Sequence, residues 1–179
     1  MMSVEIVFET HSTSRDNERG LAAGWLPGEL SDKGRRQAAE LGRRRRDGGF
    51  DAVFASDLAR AAETAQIAFA RSGPPLFLDW RLRECDYGDL NGASSDQVHG
   101  GRLDRLDRPY PGGESWRQAV ERVDRFLTEA ADLRGGRRIL IIGHLATRFA
   151  IERRAGGSAL ETLLIAPFSW RPGWEYRLD

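Results

Sequence analysis

The stretch Val4–Asn17, VEIVFETHSTSRDN, limits the choice of fold more than any other part of the chain. Val4, Ile6 and Phe8 alternate with Glu5 and Val7, and the run is β-branched and apolar, which predicts a buried strand. It stops at Thr10, and a polar turn from His11 to Asn17 follows at once. A second such run, Arg138–Gly143 (RILIIG), is apolar enough to be buried on both faces and is followed directly by His144. In open α/β sheets, ligand chemistry collects at the carboxyl ends of inner strands. If these two strands are neighbours, both imidazoles meet at one edge of the sheet.

Between these anchors the chain alternates. Ser31 reads as an N-cap, and residues 31–47 as a helix with Ala38, Ala39 and Leu41 inward. Residues 51–56 predict a strand, 57–71 an alanine-rich helix and 76–80 a third strand. Residues 81–113 are polar and glycine-rich with little periodicity, too long for a simple connection, and are expected to form part of a lid. Ser115 and Gln118 fit a capping box, and Trp116, Val120, Val123, Leu127 and Ala130 then make one apolar helical stripe. A short helix is expected from His144 to about Arg154, and residues 163–169 and 174–178 read as a closing β-hairpin. The order predicts an α/β fold: a three-layer sandwich with a mostly parallel central sheet, helices on both faces and a C-terminal antiparallel hairpin. A length of 179 residues suits one domain, with the cap segment at about 81–113.

Charge narrows the function. Lys+Arg and Asp+Glu are both 27, so nothing favours nucleic acid or anionic lipid in general. The run Arg43–Arg46 has no interleaved aromatic residues and reads as a solvated face at a helix C-terminus. Cys85 is the single cysteine, which excludes an internal disulfide and a multi-cysteine metal site. The N-terminus lacks the basic and apolar regions of a signal peptide, and no apolar run is long enough to span a bilayer. A cytoplasmic protein is expected. No HxH, HxD or HExxH spacing occurs, so neither a metal nor another cofactor is expected.

Two more strand ends carry polar groups: Ser56-Asp57 with Arg60 one turn on, and Arg83-Glu84 beyond the third strand. Two histidines, an arginine and a carboxylate from different strand ends suit phosphoryl transfer. An imidazole can attack phosphorus, cations and donors can hold the equatorial oxygens, and a carboxylic acid can protonate the departing oxygen.

This pattern resembles the histidine phosphatase superfamily, the phosphoglycerate-mutase-like fold. The matching stretches are the strand into His11 with Asn17 six residues on, Gly20–Ala38, Phe54–Ala65 (FASDLARAAETA), Leu82–Gly88 (LRECDYG), Pro111–Ser115 (PGGES) and Ile141–His144 (IIGH). The resemblance implies that His11 is the nucleophile, that Arg60, His144 and Asn17 hold the phosphoryl oxygens, and that Glu84 is general acid and then base. It also implies that no metal is used and that the 81–113 segment caps the pocket.

One position departs from the family pattern. The hallmark Arg-His-Gly reads Thr10-His11-Ser12 here, with Glu9 before it. Thr10 can give one hydrogen bond but no charge, and a lost preorganised donor costs about 10²–10³ in rate. Strand alternation turns Glu9 away from the side of Thr10. Arg15 and Arg148 are the candidates to restore the charge, against ordinary surface roles. The expected function is a metal-independent phosphatase acting on a small phosphorylated compound. The alternatives are a degenerate member that binds a phosphorylated ligand or protein partner without efficient catalysis, one with altered chemistry toward a diester, and, ranked lower, a phosphoglycerate mutase. His99 has no strand-end context and is read as surface, though it belongs with Tyr87, Asn91, Arg102 and Tyr110 to the loop expected to bound the pocket. Trp170 and Trp174 make the hairpin a candidate homodimer surface.

Overall fold

The runs read as strands pair into one sheet. The computed structural model describes residues 3–69 and 73–178, without the side chains of residues 133 and 134. Its strands are β1 (Val4–Thr10), β2 (Ala52–Ala55), β3 (Leu76–Leu78), β4 (Arg138–Gly143) and β5 (Trp174–Leu178), in the order β3-β2-β4-β1-β5. β1 and β4 are parallel neighbours with Thr10 opposite Gly143, so His11 and His144 leave the sheet side by side. β2 and β3 extend the parallel part, and β5 runs antiparallel along β1.

The helices are α1 (Arg15–Glu18), α2 (Asp32–Arg45), α3 (Ala59–Phe69), α4 (Ser95–His99), α5 (Trp116–Arg134), α6 (Leu145–Gly156) and α7 (Leu160–Ile165). Strand alternation divides the core in two. Ile6, Phe8, Ile139 and Ile141 pack with Val123 and Leu127 of α5 and Phe149 of α6. Val7, Val53, Leu140 and Ile142 pack with Leu41 of α2 and Ala61 and Ala65 of α3. β4 is buried on both faces, as its unbroken apolar run requires, and the three layers are those expected. The α5 stripe from Trp116 to Ala130 is core, and Ser115 and Gln118 close the capping box.

Three expectations shift. The helix expected over 57–71 begins at Ala59, and its positions 70 and 71 lie outside the described residues. The third strand ends at Leu78, because Asp79 caps a 3₁₀ turn at Trp80–Leu82. The C-terminal antiparallel element is β5 alone, and its partner is β1. The expected first arm of the hairpin is helix α7 followed by irregular chain. A short apolar run such as Leu163–Ile165 satisfies both periods, and here packing against α6 decides. Of the two roles open to Trp174, an exposed surface or packing on the core, the structure has the second: it is 5% exposed and packs on Phe8 at 5.7 Å between ring centroids.

The segment 81–113 holds the five-residue helix α4 and short 3₁₀ turns. It is stitched to the loop after α1: Ala22 N–H donates to the Ala93 carbonyl and Gly92 N–H to the Ala22 carbonyl, each at 2.8 Å. No helix among the described residues is long and apolar enough to cross a membrane.

Candidate active site

The end of β1 fixes His11 through its N–H, which donates to the Gly143 carbonyl at 3.0 Å. The ring Nδ1 lies 2.7 Å from the Ser12 carbonyl oxygen. A carbonyl only accepts, so Nδ1 carries the proton and Nε2 keeps its lone pair. Burial, and then the Arg60 charge, push the His11 pKa down to about 3. The imidazole is therefore neutral, and a nucleophile, at any physiological pH.

His144 has the opposite tautomer. Arg60 Nη2 lies 3.5 Å from His144 Nδ1, and a guanidinium only donates, so Nδ1 accepts and Nε2 bears the hydrogen. That Nε2 is buried and has no hydrogen-bond partner among the described residues. Burial, then Arg60 and His11, hold its pKa well below the ordinary value. The two rings stand 5.0 Å apart between centroids. His144 is the N-cap of α6, and its N–H donates to Thr147 Oγ1 at 3.2 Å. Gly143 makes that contact possible, because a Cβ there would meet Thr147 Cβ at 2.8 Å.

Arg60, in the first turn of α3, is 3% exposed. Its Nη1 donates to the Leu26 carbonyl at 2.9 Å and its Nη2 to the Gly24 carbonyl at 2.8 Å. No carboxylate among the described residues pairs with it, so a buried positive charge stands between the histidines and the 24–27 loop. Glu84 is held by three amides. Oε1 accepts from Cys85 N–H at 2.9 Å and Ala146 N–H at 3.1 Å, and Oε2 from Leu145 N–H at 3.2 Å. The carboxylate therefore sits on the first turn of the helix that His144 caps, where the helix dipole favours it.

Sequence reasoning missed the residue that places Glu84. Arg122, 2% exposed on α5, donates to the carbonyls of Arg81 (2.8 Å), Arg83 (3.1 Å) and Glu84 (3.0 Å). It also forms a bidentate pair with Glu114 of the PGGES stretch, at 2.9 and 2.8 Å. The available signal was an arginine beside the apolar stripe, next to Val123, with an acidic residue upstream in an otherwise glycine-rich turn.

Thr10, His11, Asn17, Arg60, Glu84 and His144 all line one cleft of about 640 Å³. Asn17 Oδ1 accepts from Ser14 N–H at 3.0 Å, which leaves its Nδ2 hydrogens as the free donors. Arg15 is not in this set. It begins α1, points outward and pairs with Glu29 at 3.1 Å, both largely exposed. Arg148 is also elsewhere, paired with Glu152 at 2.8 Å and lying over the Trp174 ring. Neither stands in for the missing arginine.

The Arg43–Arg46 run is not simply a solvated face. Arg44 and Arg45 close on the Glu9 carboxylate at 3.1 and 2.7 Å, and Glu9 and Arg44 line the cleft. A glutamate on a buried strand needs a cation, and that requirement was readable at Glu9. From the cap segment, Tyr87, His99 and Arg102 line the cleft, while Asn91 braces the turns at Trp25 and Tyr87 and the Tyr110 hydroxyl donates to the Val98 carbonyl. His99 is thus a cleft residue, and burial followed by Arg102 lowers its pKa to about 4. Arg102 has no carboxylate partner among the described residues. No group of three or more His, Cys, Asp or Glu side chains among them is arranged to hold a metal ion.

A mostly parallel α/β sheet thus delivers two histidines from adjacent strand ends to a buried arginine. The profile of the histidine phosphatase superfamily (branch 1) matches residues 6–168, and the chain belongs to that superfamily. It is 36% identical over 159 residues to a 2,3-bisphosphoglycerate-dependent phosphoglycerate mutase of Allorhizobium ampelinum, covering 80% of this chain and 75% of the relative. It is 30% identical over 149 residues to a probable phosphoglycerate mutase of Salmonella typhi, covering 79% and 69%. Among solved structures the fold matches Bacillus stearothermophilus YhfR with a TM-score of 0.83 at 23% identity, covering 96% of this chain and 90% of the other. It also matches a mycobacterial glucosyl-3-phosphoglycerate phosphatase with a TM-score of 0.78 at 22% identity, covering 90% and 84%.

Proposed function

We propose that the protein is a metal-independent phosphatase that hydrolyses a small phosphorylated compound through a phosphohistidine at His11 Nε2. The observation that carries this reading is the pair of opposed tautomers: a lone pair on one imidazole faces the cleft beside an unpartnered N–H on the other. Arg60, His144 Nε2–H and Asn17 Nδ2 would hold the phosphoryl oxygens. His11 Nε2 attacks phosphorus while the bond to the alcohol oxygen breaks, and a protonated Glu84 gives its proton to that oxygen. Water then attacks phosphorus, its proton passes to the Glu84 carboxylate, and the P–N bond breaks to release inorganic phosphate and neutral imidazole. Arg102 supports the charge that Thr10 does not supply. A cytoplasmic setting agrees with the single buried thiol of Cys85.

A mutase reading draws on the names of the curated relatives. The Glu40 carboxylate on the cleft wall weighs against it, because a mutase must grip a second anionic group there. A binding-only reading draws on Thr10. The intact disposition of His11, Arg60, Glu84 and His144 weighs against that one.

The test is hydrolysis of 4-nitrophenyl phosphate in the presence of a chelator, wild type against His11→Ala. Turnover in the wild type that disappears in the variant is the expected result, with an acid-labile phosphoryl label on the wild-type protein. Turnover that survives His11→Ala, or that requires added metal, overturns the reading. Incubation with 3-phosphoglycerate and 2,3-bisphosphoglycerate, followed by phosphorus NMR, separates phosphate release from isomerisation.

A further inference from the structure

The cleft is much larger than a phosphoryl group requires. Its volume of about 640 Å³ lies within the range of roughly 300–1,000 Å³ that holds small organic molecules. Besides the histidines and Arg60, its lining includes Glu9 at the end of β1, Gln37, Leu41 and Arg44 from one face of α2, and Phe168 and Trp170 from the loop before β5. These six residues are called the second arm of the cleft.

The arm is a built site. Glu9 is 1% exposed and its carboxylate is closed by Arg44 and Arg45, so the floor is polar without net negative charge. Arg45 Nη2 also donates to the Pro172 carbonyl at 3.0 Å. Gly173 lies directly on the pair, with φ +84°, and a Cβ there would collide with Arg45 and reach Glu9 Oε1 at 2.9 Å. Arg45 thus ties Glu9 to the loop that carries Phe168 and Trp170. Trp170 is 60% exposed and Phe168 47% exposed, although both line the cleft. On α2, Gln37 Oε1 accepts from Thr13 N–H at 3.0 Å, which leaves the Nε2 hydrogens as its donors. Arg44 uses only Nη2 on Glu9 and keeps further N–H groups.

From this geometry we infer that the arm binds a planar aromatic group with hydrogen-bond acceptors, borne by the phosphorylated compound at the end remote from its phosphate. The inference deepens the phosphatase reading and rests on it for the orientation of the ligand. Trp170 and Phe168 supply stacking faces, and Gln37 and Arg44 supply donors to ring acceptors.

The test is binding to His11→Ala, followed by calorimetry and tryptophan fluorescence. The probes are 1-naphthyl phosphate and glycerol 2-phosphate, with inorganic phosphate as competitor. The naphthyl ester is expected to bind about tenfold tighter than the glycerol ester, the ordinary worth of one good aromatic contact. Phosphate should displace it, and adding Trp170→Ala or Phe168→Ala should remove most of the difference. Equal affinities for the two esters, or an aromatic preference that survives both substitutions, overturns the inference. Aromatic preference without turnover in the wild type would leave the arm standing and fell the phosphatase reading. Turnover of both esters with equal KM would do the reverse.

Discussion

Arg60 and Arg122 are both buried arginines, and both are held by backbone carbonyls, yet they belong to different kinds of site. Arg122 has a carboxylate partner in Glu114, and its charge is closed inside the protein. Among the described residues Arg60 bonds to carbonyls and an imidazole nitrogen and forms no ion pair, which under the phosphatase reading leaves its charge for an anionic ligand. A buried cation without an acidic partner is costly, and an anionic ligand is what makes it worth keeping. The pair separates architecture from chemistry more cleanly than position in the sequence does.

Arg122→Ala should give the largest effect. It strands Glu114 and the Arg81–Glu84 carbonyls, and stability should fall by about 3–5 kcal/mol in denaturant titration. If stability is unchanged, Arg122 is not the clamp described. Arg60→Ala should act on turnover first, lowering kcat/KM by about 10²–10³. Inorganic phosphate at a hundred times its Kd should stabilise the wild type by about 2.7 kcal/mol and leave Arg60→Ala unmoved in thermal melts. A phosphate response that persists in Arg60→Ala would erase the contrast between the two arginines.

The histidines sharpen it through pH. His11 titrates near 3 and His144 well below 6.5 in the folded chain, whereas unfolded imidazoles take protons near 6.5. Between those values the unfolded state binds more protons. Stability is therefore full above 6.5 and is lost as pH falls, by up to about 1.4 kcal/mol per pH unit for each imidazole. Melts from pH 7.5 to 5 check the sign, and a flat profile would mean that burial and the Arg60 charge do not hold the rings neutral. The smallest effect belongs to Arg102→Ala. This half-buried cation should raise KM severalfold with kcat little changed, as steady-state kinetics would show.

Much of this was legible in the sequence. The alternation in Val4–Phe8 and the unbroken run of β4 gave the two central strands, and the residues just beyond them gave the two imidazoles. Arg60 and Glu84 were found because each follows a strand end at short range. Arg122 escaped because its partners are carbonyls of a distant turn, and a side chain's backbone partners leave no mark in composition or period. Arg44 and Arg45 escaped for the converse reason: a run of like charges reads as surface unless the glutamate it neutralises, 35 residues earlier for Arg44, is recognised as buried. The closing hairpin failed because a run as short as Leu163–Ile165 cannot distinguish a short helix from a strand.

The seat of Glu84 on the first turn of α6 has a spectroscopic consequence. Its oxygens accept from the amides of Cys85, Leu145 and Ala146, so a change at this carboxylate reaches three backbone N–H groups at once. Nitrogen-15 shifts at these three positions should move together in Glu84→Gln, with no substrate present. Because His144 caps the same turn, the Glu84 carboxylate and the His144 imidazole share one mount. Motion of that turn carries both side chains with it, so the stretch of 81–113 that holds Glu84 is tied to the helix.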